Sequence, residues 1–207
     1  MTGGGENRLF NETLAKIKPY LQSTNFRGNI DLNCIVNEQG IFPLEATARF
    51  GYPAVDLEYA LSISPFGELL KAVADGRPYP MKWHRGFGIV VQIAVPPFPY
   101  TTTDKKYSSE GLKIHFTGKL TQEELSCLHL CDIQQRETPS GEKEYILAGT
   151  EGYALCVTGI GRTIREARSN AYGLIDKIII PKMFYRTDIG LNFMEKDGAM
   201  LREWGYV

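Results

Sequence analysis

Four residues, Asp31, Glu45, Thr47 and Arg49, offer the clearest chemistry in this chain. They stand in residues 28–53, GNIDLNCIVNEQGIFPLEATARFGYP, where two apolar runs are joined by Asn37-Glu38-Gln39-Gly40. Gly40 supplies the positive φ of a tight turn, so the spacing predicts a β-hairpin with strands over 30–36 and 41–46. Side chains alternate along a strand. Asp31, Asn33 and Ile35 therefore share one face, and Pro43, Glu45, Thr47 and Arg49 share another. Pairing is expected to bring two acids, a hydroxyl and a guanidinium to one patch of an otherwise apolar ribbon. A carboxylate in an apolar strand is costly unless something neutralises it. A divalent cation would do so, and oxygen-only donors suit Mg²⁺, which takes one or two carboxylates together with substrate phosphates. The plainer alternative is an ion pair between Glu45 and Arg49 on the same face.

The run Glu45-Ala46-Thr47-Ala48-Arg49-Phe50-Gly51 resembles the Glu-x-Asn-x-Arg-Phe-Gly signature of the ATP-grasp ligases, in the form carried by the phosphoribosylamine–glycine ligases (glycinamide ribonucleotide synthetases). The resemblance implies that Glu45 holds the Mg²⁺ (or Mn²⁺) bridging the phosphates of ATP. It implies that Arg49 faces those phosphates as catalytic and nucleotide-binding residue. Thr47 departs from the pattern, a hydroxyl where the family has an amide. Asp31 resembles the extra acidic or amide ligand on the preceding strand of other ATP-grasp enzymes, and the implied metal set is Glu45, Thr47 and Asp31.

Elements must hold these groups in place. Phe10, Leu14, Ile17 and Leu21 keep helical spacing over 9–21, with Pro19 limiting the end. Two short helices are expected over 55–63 and 65–74, the second with Ser64 as cap and Pro65 as first residue, stopped by Asp75-Gly76. The polar, proline-rich RPYPMK of 77–82 marks a boundary. Beyond it, 87–95 is a continuous apolar run, predicted as a buried strand closed by Pro96-Pro97-Phe98-Pro99. Strands are expected over 112–117, 125–136 and 143–148, with a turn at 139–142. In the second of these, Cys127, His129 and Cys131 alternate onto one side. They could form a metal site with His115, although the Cys-x-x-Cys knuckle of structural zinc is missing, and two small thiols beside a half-buried histidine is the plainer reading. His84 reads as a surface residue.

Residues 150–190 hold a strand over 153–158, a Gly159-Ile160-Gly161 turn, and a capping box of Thr163 with Glu166. A helix of four or more turns is predicted to bury Ile164, Ala167, Ala171, Leu174, Ile175 and Ile178. A Gly-x-Gly before a helix would also suit a phosphate. The segment resembles the C-terminal domain of the same ligases through Ala171-Tyr172 and Arg186-Thr187-Asp188-Ile189-Gly190, and partly through His115-Phe116-Thr117-Gly118. The Arg186-x-Asp188 run reads as an internal ion pair. Three departures stand out against the family: Tyr52-Pro53-Ala54 for Asp-Pro-Glu, Pro96-Pro97-Phe98-Pro99 for Gly-Gly-Tyr-Pro, and Gly152-Tyr153 for Gly-Gly.

A net charge of −1 provides no basic field to recruit nucleic acid or an anionic membrane. Four cysteines in 207 residues are too few for a disulfide scaffold, which suits a reducing cytoplasm. The glycine-rich residues 1–8 read as a flexible start, a linker or a cut end, with no signal-like core. The expected fold is α+β: a C-terminal ATP-grasp subdomain of hairpin and helices over 1–78, then a small mixed α/β domain over 79–207, with mostly antiparallel strands and one long helix. The implied function is part of a carboxylate–amine ligase of purine biosynthesis, working through an acyl phosphate, with ATP, a carboxylate and an amine as substrates. Its N-terminal portion is the implied partner, without which the chain is expected to be inactive. The alternative is a degenerate, non-catalytic module of the same ancestry that binds or scaffolds.

Overall fold

The computed structural model describes residues 7–100 and 104–207, so the glycine-rich opening lies outside the described residues through position 6. Two compact units form: the chain up to Gly86 together with Gly190–Val207, and Phe87–Ile189. The expected break at 78/79 thus moves to 86/87. The last eighteen residues, expected in the second domain, return to the first unit. There Tyr206 donates its hydroxyl to the Asn37 carbonyl at 3.1 Å.

In the first unit, α1 (Arg8–Glu12) and α2 (Leu14–Ser23) replace the single helix expected over 9–21. The break is Thr13, at φ −126° and ψ −94°, whose hydroxyl donates to the Leu9 carbonyl. Pro19 does not end α2, which runs on to Ser23. The hairpin of β1 (Asp31–Asn37) and β2 (Gly40–Thr47) follows, as an antiparallel two-stranded sheet. After it come α3 (Ala54–Leu61) and α4 (Phe66–Asp75), the latter closed by Gly76 in the left-handed region at φ 65°. Ser64 does not cap α4. Pro65 occupies the cap position, and the Ser64 hydroxyl instead accepts from the Lys82 amide at 2.9 Å.

The second unit carries two antiparallel sheets. One has the order β3 (Phe87–Ala94), β8 (Tyr153–Gly161), β5 (Leu128–Leu130). The other runs β6 (Ile133–Glu137), β7 (Lys143–Leu147), β4 (Lys113–Phe116), β9 (Ile178–Ile179). The strand expected over 125–136 is divided. Thr121 and Glu124 close a capping box that starts a short helix, α5 (Gln122–Ser126). The chain then bends at Cys131-Asp132, leaving β5 in one sheet and β6 in the other.

The longest helix, α6 (Ile164–Ile175), packs Ala167, Ala171, Leu174 and Ile175 onto Ile89, Val91, Ile93, Leu155 and Val157. It stops at Ile175, so Ile178 is buried from β9 instead. Gly159 and Gly161 make this packing possible. A Cβ on Gly159 would stand 2.3 Å from the Ala167 carbonyl oxygen, and one on Gly161 2.6 Å from the Ala167 amide.

Candidate metal and nucleotide site

The register of the hairpin decides which donors meet. From the turn outward, Asn37 pairs with Gly40, Val36 with Ile41, Ile35 with Phe42 and Cys34 with Pro43. The register then shifts by one residue, leaving Leu44 as the extra residue of a bulge. Beyond it Asn33 pairs with Glu45, Leu32 with Ala46 and Asp31 with Thr47. Directly opposed residues point to the same side of a sheet. The bulge therefore collects Asp31, Asn33, Glu45 and Thr47 on one face. Continuing the turn's register without it would oppose Glu45 to Leu32 and send it to the other face. Pro43, expected beside Glu45, lies on that other face with Cys34.

The donor face is open. Asn33 and Glu45 are exposed, while Asp31 and Thr47 are half-buried. The expectation that Glu45 lies in an apolar setting is corrected accordingly, since Ile35, Phe42 and Leu44 around it are themselves exposed at 55%, 46% and 66%. The Glu45–Arg49 ion pair is not formed among the described residues. Arg49 donates instead to the Phe50 carbonyl at 2.8 Å. Gly51 is shaped to the acid of β1, because a Cβ there would stand 2.2 Å from Asp31 Oδ2. Burial, and then the charge of Asp31, raise the carboxyl of Glu58 on α3 above the usual carboxylate range. The thiol of Cys34 is raised in the same way, by burial and then by Asp31. Asn33 and Glu58 are the residues that sequence reading left out of the site. Asn33 was visible on the face of Asp31, but its partner across the ladder depends on the bulge.

Two carboxylates, an amide and a hydroxyl on one exposed face make an oxygen-only donor set that fits a magnesium-class ion. No group of three or more His, Cys, Asp or Glu side chains converges among the described residues. The set considered from Cys127, His129, Cys131 and His115 is accordingly not assembled. Cys127 caps α5, His129 Nε2 lies 3.0 Å from the Thr158 hydroxyl, and His115 belongs to β4 in the other sheet. The Gly-x-Gly before α6 faces the helix backbone rather than a ligand. Glu166 already accepts from the Arg162 amide at 2.7 Å, where an anion would sit. The expected ion pair of Arg186 with Asp188 is present at 2.6 Å.

With the fold and this geometry in view, comparison with known proteins gives a consistent result. The phosphoribosylglycinamide synthetase C domain matches residues 77–192. The chain belongs to that family. Curated relatives include the phosphoribosylamine–glycine ligase of Mycobacterium bovis, 25% identical over 179 residues, covering 84% of this chain and 38% of the relative. The enzyme of the same description from Neisseria meningitidis is 25% identical over 186 residues, covering 88% of this chain and 40% of the relative. The chain thus spans about two fifths of the length of these relatives. Among solved structures, the phosphoribosylamine–glycine ligase of Thermotoga maritima aligns at a TM-score of 0.63 with 21% identity, covering 86% of this chain and 43% of that one. The biotin carboxylase subunit of pyruvate carboxylase aligns at 0.54 with 12% identity, covering 96% of this chain and 44% of that one. These two share the fold.

Two of the family departures meet in space. Phe98 of the proline loop stands edge-on to Tyr153, with ring centroids 5.1 Å apart, and Phe184 lies 6.1 Å from Phe98. Gly152 is pressed against the same loop, where a Cβ would stand 2.1 Å from the Val95 carbonyl oxygen. Of the packed pair Phe98 and Tyr153, Tyr153 stands where the family pattern has a glycine, while Phe98 stands at its tyrosine, behind the two prolines that replace glycines. The family's closing segment is held by α6: Arg168 donates to the carbonyls of Ile189 and Thr187, and Tyr172 donates to the Arg186 carbonyl at 2.7 Å.

Proposed function

We propose that this chain is the C-terminal portion of an ATP-grasp carboxylate–amine ligase, with the hairpin β1–β2 as its metal and phosphate face. The observation that carries the reading is the pair of rungs Asp31–Thr47 and Asn33–Glu45, set on one face by the bulge at Leu44. Glu45 and Asp31 would hold Mg²⁺ or Mn²⁺, with Asn33 and Thr47 as neutral oxygen donors. When bound, the ion supplies charge neutralisation to the phosphates of ATP. Arg49 would exchange its bond to the Phe50 carbonyl for a charge-assisted bond to the transferred phosphoryl group.

The overall reaction joins a carboxylate and an amine. The carboxylate oxygen takes the γ-phosphoryl of ATP and ADP leaves. The amine nitrogen then attacks the acyl carbon, phosphate leaves, and the nitrogen loses a proton to give the amide. Glycine and phosphoribosylamine are the first pair to test, because they are the substrates named for the relatives. The portion of the enzyme that relatives carry beyond this chain's match would supply the rest of the site.

Assembled with that portion, the wild-type chain is expected to release ADP in a carboxylate- and amine-dependent manner. Glu45→Ala is expected to lower kcat by about a hundredfold or more. Unchanged kcat in that variant would remove the metal role from the hairpin.

A further inference from the structure

We propose that the C-terminal segment is an intramolecular brace that holds the tip of the β1–β2 hairpin, with Tyr206 as its positioning residue. The segment lies past the family match, which ends at residue 192. It forms a π-helical turn (Phe193–Asp197) and then α7 (Gly198–Glu203). Helix α7 ends in a Schellman motif: the Tyr206 amide donates to the Leu201 carbonyl at 2.8 Å, and the Gly205 amide to the Arg202 carbonyl at 3.0 Å. Gly205 sits in the left-handed region at φ 75°, which a side chain would resist. That turn reverses the chain and sends Tyr206 inward, where it is only 3% exposed.

The Tyr206 hydroxyl donates to the carbonyl of Asn37, the last residue of β1. Asn37 is also the keystone of the turn, since its side-chain oxygen accepts from the amides of Gln39 at 2.8 Å and Gly40 at 3.1 Å. The Arg8 guanidinium lies 4.6 Å from the Tyr206 ring centre and donates to the Trp204 carbonyl at 2.6 Å. Glu12 fixes Arg8 at 2.7 Å. Helix α1, the chain end and the hairpin tip are thereby tied at one point.

A two-stranded hairpin alone is at best marginally stable in water, and this one leaves Ile35, Phe42 and Leu44 exposed. Its opening therefore depends on what grips it. The brace needs only the contacts above; its consequence for the metal rests on the ligase reading. Fraying from the tip would loosen the Asn33–Glu45 rung, which lies just beyond the bulge.

The test is hydrogen exchange on the full chain, with Mn²⁺ affinity read by electron paramagnetic resonance. Tyr206→Phe keeps the ring over Arg8 and removes only the hydroxyl. Exchange in peptides covering 31–47 should quicken about three- to tenfold, while peptides from β3 and β8 stay unchanged. Mn²⁺ affinity should fall several-fold in the same variant. Glu45→Gln should abolish Mn²⁺ binding and leave hairpin exchange at the wild-type rate. Unchanged hairpin exchange in both Tyr206→Phe and Arg8→Ala would overturn the brace. Quickened exchange with unchanged Mn²⁺ affinity, where Glu45→Gln still abolishes binding, would overturn the positioning role. Mn²⁺ binding that survives Glu45→Gln would overturn the ligase reading of the hairpin, and exchange would then decide the brace alone.

Discussion

Asp31 is the residue on which the candidate site turns, because Gly51, Glu58 and Cys34 all answer to it. Gly51 leaves the room its carboxylate occupies. Gly51→Ala would push that carboxylate aside rather than break the fold, since the clash is with the end of one side chain. The expected outcome is a Mn²⁺ affinity about tenfold weaker with little change in Tm, measured by resonance titration and thermal melts. Glu58 responds electrostatically. Its carboxyl is raised by burial and then by Asp31, so the folded chain binds that proton more tightly than the unfolded chain does. Stability is then lost as pH rises from the unfolded carboxyl value, about 4.3, through the raised folded one. Glu58→Gln removes this loss. Melts should show the variant more stable than wild type at pH 7 and equal to it below about pH 4. Saturating Mn²⁺ should narrow the gap at pH 7, because a cation beside Asp31 offsets the same repulsion.

The hairpin is the element that makes a site out of separate residues, and its bulge reconciles the turn with the register of the donor face. Two requirements conflict within it. The Asn37–Gly40 turn dictates one register, and the donor face requires the next one. Leu44 absorbs the difference by standing out of the ladder, 66% exposed. Deleting Leu44 should therefore leave Asn33 opposite Glu45 and Asp31 opposite Thr47, now in a regular ladder. Mn²⁺ affinity is expected to stay within about twofold of wild type while hairpin exchange slows. Loss of binding on that deletion would show that the bulge itself shapes the site.

The bulge also explains what sequence could and could not convey. The turn, both strands and the alternation of Asp31 with Asn33 were legible from Gly40 and the apolar runs. The pairing partner of Glu45 was not, because alternation along each strand leaves the register between strands free. The same limit appears in the second unit. The stripe of α6 was read correctly from Ala167 to Ile175, since helical period is local, although Ile164 in the first turn is only half-buried. The division of 125–136 into α5, β5 and β6 was missed because a capping box and a two-residue bend override a run of strand-forming residues.

At the scale of the whole molecule, the family match over 77–192 falls mostly in the second unit, while the signature in the hairpin lies in the first. The curated relatives align over 84–88% of the chain, so the likeness extends beyond the second unit, with its antiparallel sheets and α6, into the first. Chemistry is proposed for the first. Tyr153, which departs from a family glycine, packs on Phe98 of the loop in which prolines replace glycines, so the two departing segments meet. No helix among the described residues is long and apolar enough to cross a membrane. The chain spans 38–40% of the length of the ligases cited above, so its activity is a property to be tested with the remaining portion present. The most direct measurement is a crystal structure of that assembly grown with Mn²⁺ and a non-hydrolysable ATP analogue, with the metal located by anomalous scattering. The expected result is a manganese peak roughly 2 Å from a Glu45 carboxylate oxygen, with Asp31 and the analogue's phosphates around it. A peak elsewhere, with Glu45 bare or paired to Arg49, would contradict the metal role of the hairpin.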